Sequence, residues 1–175
     1  YPTIAELRSQ GVVKVIGAGM DQWQMLARFA REGDFDCFLL AGRYTLLDQS
    51  GVAELLPLCQ EKGISVVLGG PYNSGILASD LSPSTTFEYK IAPPEVLARA
   101  RAIKAVCDRH AVPLKAAALQ FGLAHPAVAA TIPGPASLEE LDENFRMVSH
   151  PIPDDLWAEL RHEKLISRNS STPTG

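Results

Sequence analysis

Four short apolar runs constrain this chain more than any other feature: VVKVIG (12–17), DCFLLAG (36–42), ISVVLGG (64–70) and AVAATIPG (127–134). Each is brief and rich in branched aliphatic residues, so each reads as a strand. None alternates apolar with polar residues. Strands of that kind are covered on both faces, which means a parallel sheet with crossover helices. Between the runs lie stretches of helical spacing. QWQMLARFAREG places Trp23, Leu26, Ala27 and Ala30 on one face and stops at Gly33. GVAELLPLCQEKG ends in Lys62 and Gly63, a basic residue and a glycine suited to a helix C-terminus. The chain therefore runs as a helix, TIAELRSQG, followed by four strand–helix units: either a small open sheet or half of a (βα)8 barrel.

The later helices are marked as clearly. EVLARARAIKAVCDRH sets Val96, Leu97, Ala100, Ile103 and Val106/Cys107 along one side, and VPLKAAALQFGLAH opens on Pro113. SLEELDENFRMV starts with a capping box, in which Ser137 and Glu140 satisfy opposite donors of the first turn. PIPDDLWAELRHEKL adds a last helix, and the polar tail over 167–175 is expected to be disordered. The stretch Pro71–Pro94 has no such spacing, and an irregular loop of that length is functional or disordered. The first residue is Tyr, and IAELRSQG reads as the last turns of a helix, so the chain is expected to be a piece of something longer.

Composition narrows the function. The chain has 175 residues, 46% hydrophobic and 21% charged, with a net charge of -4. That suits one globular domain and argues against nucleic acid, since no basic cluster occurs. No apolar run approaches the roughly 20 residues of a membrane span. Cys37, Cys59 and Cys107 lack metal-ligand spacing and read as reduced thiols of a cytoplasmic protein.

Active sites of parallel α/β folds lie at the C-terminal strand ends. All four ends here are rich in glycine, which admits a ligand to the backbone: Gly17 to Gln22, Ala41 to Tyr44, Gly69 to Gly75 and Pro133 to Ser137. GAGMDQ lacks both the GK[ST] ending of a Walker loop and the third glycine of GxGxxG. IPGPASLEELDENF has the build of an anion-binding strand-to-helix turn, yet Glu139, Glu140 and Glu143 stand where cations would help. A backbone-bound pyrophosphate is tolerable there, whereas a phosphomonoester beside Glu140 is repelled. His110, His125, His150 and His162 pair with no strand-end nucleophile and read as structural. Arg43, Tyr44 and Tyr72 are either ligand contacts or packed surface and aromatic residues. Lys14, inside the first strand, is read as snorkelling rather than activated.

At this level the stretches acquire a family likeness. LRSQGVVKVIGAGM, FDCFLLAGRYTLLDQ, GISVVLGGPYNSGIL, VPLKAAALQFGLAHPAVAATIPG and SLEELDENF resemble the fifth to eighth strands of the aldo-keto reductases and the helix that closes over their cofactor. Within that family, AGRYTLLDQ, GGPYNSGIL, LAHPAV and PIPDDLWAELR are similar to the D-threo-aldose, L-fucose and pyridoxal dehydrogenase-like members. The resemblance covers about residues 4 to 166 and implies an α/β fold of the (βα)8 TIM-barrel kind. Residues 1–166 would be its C-terminal half, strands five to eight with the C-terminal helix. It implies a nicotinamide cofactor, NAD with NADP possible, and a small alcohol or aldehyde substrate, aldose-like or pyridoxal-like. The family's Asp/Tyr/Lys/His set lies on its first four strands, so no catalytic residue is assigned here, nor any metal ligand.

The resemblance carries over only the cofactor half. Gly19 and Met20 stand at the family's Ser-Asn positions beside the carboxamide, which leaves backbone contact alone. Ala41 stands at its Gln, and Gly69 where many members stack a Tyr under the nicotinamide. Gly70, Pro71, Tyr72, Asn73, Ser74 and Gly75 would line the pyrophosphate. Gly134 falls at the family's 2′-phosphate Lys and Glu140 at its Arg, with Ser137 capping the helix between them. Glu143 and Asn144 match its acid/amide pair near the adenine. The expected partner is the missing N-terminal half or a second copy. Two other functions remain open: a non-catalytic nucleotide-binding subunit on the same fold, and a phosphate-binding lyase or isomerase barrel.

Overall fold

Helix α1 (Pro2–Ser9) begins the chain, and Gly11 at φ 74° turns it out of the helix. The expected first strand over 12–17 starts late: strand β1 is Gly17–Met20. The reason is local. The amides of Val12 and Val13 bond back to the Leu7 carbonyl. The Ile16 amide is taken by the Asp36 carboxylate at 2.8 Å, which also accepts from Arg8 at 2.8 Å. Those donors, the Ile16 amide first, hold the Asp36 carboxyl below its ordinary range. Lys14 is exposed and lies outside any strand, so it is neither a snorkelling strand residue nor a buried amine.

The computed structural model describes residues 1–173. After β1 come α2 (Trp23–Glu32), β2 (Cys37–Ala41), α3 (Leu55–Lys62) and β3 (Ser65–Gly69). The stretch 71–94 is not wholly irregular. It holds a short 3-10 turn (Ile76–Ala78) and a hairpin of β4 (Thr86–Phe87) and β5 (Lys90–Ile91). The hairpin turns on Glu88 and Tyr89, both at positive φ. No Asn-Gly or Gly marks that turn, which is why the sequence does not announce it. Then follow α4 (Pro94–Arg109), α5 (Leu114–Leu123), β6 (Val128–Ile132), α6 (Leu138–Val148) and α7 (Asp154–His162).

The main sheet is wholly parallel, in the order β1-β2-β3-β6. Its residues are sorted by the two-residue period of a strand. Phe38, Leu40, Val66 and Leu68 are buried in one cluster with the inner faces of α2, α3, α4, α5 and α7. On the opposite face Leu39 is 37% exposed, and Gly17, Gly19, Ser65 and Ala130 are exposed. The sheet is thus covered on one face, not on both as the apolar runs suggest. An apolar run shows only that neither face suits water; it does not say which layers are at hand.

The tail also differs from expectation. Over 167–173 it folds back: the Ser167 amide donates to Gln49 Oε1, and Arg161 donates to the Ser170 carbonyl and the Thr172 hydroxyl. Residues 174–175 lie outside the described residues. Cys59 and Cys107 are buried, and desolvation pushes both thiols up to about 12; Cys37 is half-buried. Among the described residues no helix is long and apolar enough to cross a membrane.

His125, between α5 and β6, is 6% exposed and accepts the Ala127 amide at Nδ1 over 3.1 Å. Burial holds its pKa below the ordinary value. Protonation would put a hydrogen where the amide already points. The unfolded chain therefore binds this proton first, and stability present above about pH 6.5 is lost as pH falls through the folded pKa. Urea midpoints should drop over that window. The variant His125→Asn, which retains an acceptor for the amide, should flatten the decline; an unchanged decline in the variant counts against His125 as its source.

Candidate functional site

The strand ends converge on a cleft of about 580 Å³ between the loop after β3 and the start of α6. Of the residues singled out in the sequence, Gly70, Tyr72, Ser74, Gly75, Gly134, Glu140 and Asn144 line it. A neighbouring hollow of about 270 Å³ shares Gly70 and Ser74 and adds Asn73, Ala41 and Arg43. Gly19, Met20, Gly69, Pro71, Ser137 and Glu143 are in the lining of neither. Gly19 and Met20 lie within β1 rather than beyond it, with Met20 packed toward the core and Gly19 on the open sheet face beside Leu39. Gly69 ends β3 on that same face, where an added Cβ would sit 3.1 Å from Leu39 Cδ2.

The loop after β3 is shaped by backbone. Gly70, Asn73, Ser74 and Gly75 all have positive φ, and Gly134 repeats this at 66° on the opposite wall. A Cβ at Gly70 or Gly134 would meet nothing within 4 Å. Glycine is required there by conformation, and the space before it is open to a ligand. Asn73 holds the loop in place: Thr45 Oγ1 donates to Asn73 Oδ1 at 2.6 Å, and Asn73 Nδ2 donates to the Gly42 carbonyl at 3.2 Å. Its side chain joins two strand ends, and it also lines the neighbouring hollow.

Three further links build the opposite wall. The Tyr72 hydroxyl donates to Asn144 Oδ1 at 2.6 Å, tying the β3 loop to α6. Burial, with the Glu143 carboxylate nearby, pushes the Tyr72 phenol well up, so it stays a donor. Ser137 Oγ accepts the Glu140 amide at 3.1 Å, as a capping box requires. The Glu140 carboxylate, however, accepts the Ala136 amide at 2.7 Å, one residue ahead of the cap. The Glu139 carboxyl is lowered by its own amide and by the Ser137 hydroxyl. The Ala136 and Glu140 amides at this helix start are thus engaged by the chain's own side chains, which leaves the α6 N-terminus fewer free donors than its dipole alone suggests.

Lys115, on the first turn of α5, is the one basic residue in the lining and is ion-paired with Glu143. Sequence reasoning passed over it, although it is the single charged residue in an otherwise apolar and amide-bearing helix. Tyr89, 93% exposed at the hairpin tip, borders both cavities and had no signal. Tyr44 is not a ligand contact. It is buried against Phe121 and His125, and desolvation pushes its phenol up to about 12. Arg43 is engaged by Glu88 at 2.8 Å, Asp48 at 3.2 Å and Asp21 at 3.4 Å.

The cleft is of ligand size, with glycine-opened backbone on two walls, one ammonium and one carboxylate in its lining. A dinucleotide fits that donor set. The β3 loop suits a phosphate diester, while Glu140 and Asn144 suit hydroxyl and base N–H groups. The fold and the strand-end cleft define a parallel α/β protein that takes a ligand where such sheets take theirs.

The chain belongs to the aldo/keto reductase family, whose profile matches residues 1–163. It is 43% identical over 167 residues to pyridoxal 4-dehydrogenase of Microbacterium luteolum, covering 95% of this chain and 49% of that protein. With D-threo-aldose 1-dehydrogenase of a Pseudomonas species it shares 40% identity over 167 residues, covering 95% and 51%. Its fold matches an aldo-keto reductase of Bacillus halodurans in the apo form. The TM-score is 0.75 at 23% identity, over 95% of this chain and 56% of that one. The chain spans about half the length of the curated relatives it matches. The architecture is the α/β, TIM-barrel type of that family.

Replacing Thr45 with Val should leave the buried Asn73 oxygen without its donor and cost about 1–3 kcal/mol in urea unfolding. A loss below about 0.5 kcal/mol would show that the brace is dispensable.

Proposed function

We propose that this chain is the cofactor-binding half of an NAD-dependent oxidoreductase that oxidises an aldose-like or pyridoxal-like alcohol. In this reading its four-stranded sheet supplies strands five to eight of a (βα)8 barrel, over residues 1–166. The observation that carries it is the strand-end cleft in a chain of this family, with Gly70, Gly75 and Gly134 opening its walls. The substrate class rests on the two dehydrogenases at 40–43% identity. A nicotinamide dinucleotide, when bound, supplies the hydride acceptor. This chain's residues hold its phosphates at the β3 loop and its adenosine between Glu140, Glu143 and Asn144. Gly19 reaches the nicotinamide end only through backbone. The family's proton-handling Asp/Tyr/Lys/His set matches no residue here and belongs to the other half of the barrel. That half, or a second copy, would cover the open sheet face and the two edge strands. Buried, reduced Cys59 and Cys107 suit a cytoplasmic setting.

NAD is favoured over NADP because Gly134 and Glu140 stand where a clamp for the 2′-phosphate would be, and because two amides of the α6 start are engaged by the chain's own side chains. A second reading is a nucleotide-binding subunit without turnover, since the groups this chain brings to the cleft bind a ligand rather than react with it.

The test is NADH formation by the full-length protein with L-fucose, other aldoses and pyridoxal. Turnover is expected with at least one class, and NAD should bind more tightly than NADP. Nucleotide binding with no turnover of any of these would favour the non-catalytic subunit, and no nucleotide binding at all would sink both readings. Glu140→Arg should move the NADP/NAD affinity ratio upward by about tenfold or more, the size of one charge-assisted bond.

A further inference from the structure

The Lys115–Glu143 pair is the one feature of the cleft that neither the strand-end pattern nor the glycine turns explain. Lys115 rises from the first turn of α5 and Glu143 from the middle of α6, so the pair joins two helices at the lysine's end of the cleft lining. Both groups are partly exposed, 25% for the lysine side chain and 36% for the glutamate. A staple between helices has no need of a position in a ligand cleft. An ammonium lining a cleft is ordinarily the group that takes a phosphate, since it is a compact charge with three donors. Here a carboxylate of the next helix holds it. Glu140 lines the same cleft with its own carboxylate turned to the Ala136 amide.

We propose that Lys115 and Glu143 together set the cleft's selectivity at the ribose 2′ position: Glu143 engages the only ammonium in the lining and so denies it to a 2′-phosphate. This rests on the reading that the cleft takes the adenosine end of a nicotinamide dinucleotide. The charge count makes the direction clear. With the pair intact, the cleft presents Glu140 unbalanced, and Lys115 and Glu143 cancel each other. A phosphomonoester carrying about two negative charges at neutral pH meets net repulsion. An unesterified ribose meets the Glu140 carboxylate, which accepts its hydroxyls. When the carboxylate of Glu143 becomes an amide, the ammonium is released, its three donors face the cleft, and a phosphate dianion becomes the better partner.

The experiment measures binding of NAD, NADP, ADP and adenosine 2′,5′-bisphosphate to the full-length protein by calorimetry. Glu143→Gln preserves the side chain's shape and removes its charge. It should raise the affinity for NADP relative to NAD, and for the bisphosphate relative to ADP, by about tenfold or more. The double variant Glu143→Gln with Lys115→Met should lose that gain, because the donor is gone. A role in gripping the adenine alone would move NAD and NADP together and leave the ratio fixed, which overturns the proposal. So does a role as a helix staple, which would lower the melting temperature of Glu143→Gln and of Lys115→Met alike with no change in ratio. If the unaltered protein binds neither NAD nor ADP, the cofactor reading itself fails and takes this inference with it. NAD bound normally with a fixed ratio refutes the selectivity role alone.

Discussion

Four side chains on one face of the sheet, Phe38, Leu40, Val66 and Leu68, carry the rest of the molecule. They are buried on adjacent strands of a parallel ladder, and α2, α3, α4, α5 and α7 all contribute to the cluster that closes over them. A parallel ladder requires a crossover between each pair of strands, and each crossover deposits a helix on the sheet. Every strand then ends at the same rim. The cleft exists because Gly70 and Gly134 leave β3 and β6, neighbours in the sheet, in left-handed turns at that rim. Moving the buried residues by one position would invert the faces and carry the rim residues with them.

The second level of order is polar. Thr45, Asn73 and Gly42 join the loops after β2 and β3. Tyr72 and Asn144 join the β3 loop to α6, and Lys115 and Glu143 join α5 to α6. Each link spans elements that the hydrophobic cluster alone would position only loosely. Apolar packing is tolerant of small shifts in direction, while a hydrogen bond is not. The site is therefore more sharply set than the core beneath it.

The strands and helices were legible because apolar spacing is a local signal. The face of α4 with Leu97, Ala100, Ile103, Val106 and Cys107 is buried as its spacing indicates. Where the reading slipped, a non-local bond intervened. Asp36 captures the Ile16 amide from 20 residues away, so β1 starts at Gly17 instead of Val12. The hairpin at 86–91 has strands of two residues and no turn glycine, so nothing in its sequence sets it apart from a loop. In the site, the glycine-rich ends and the Ser137 cap could be read directly. Lys115 could not, because its meaning depends on α6 lying beside α5, and a lone lysine on a helix is ordinarily a solvated one. Tyr44 was open for the converse reason: it follows a strand end in sequence, which allowed either reading, and it turns inward against Phe121.

The bond from the Tyr72 hydroxyl to Asn144 crosses 72 residues of chain. It makes the two walls of the cleft a single mechanical body. A ligand entering between them meets surfaces already fixed with respect to each other, and so surrenders little of its binding energy to ordering them. The same stiffness works against variety. A molecule that needs the walls farther apart must first break a buried bond between a phenol and an amide, so the cleft screens its occupants by width before any charge is felt.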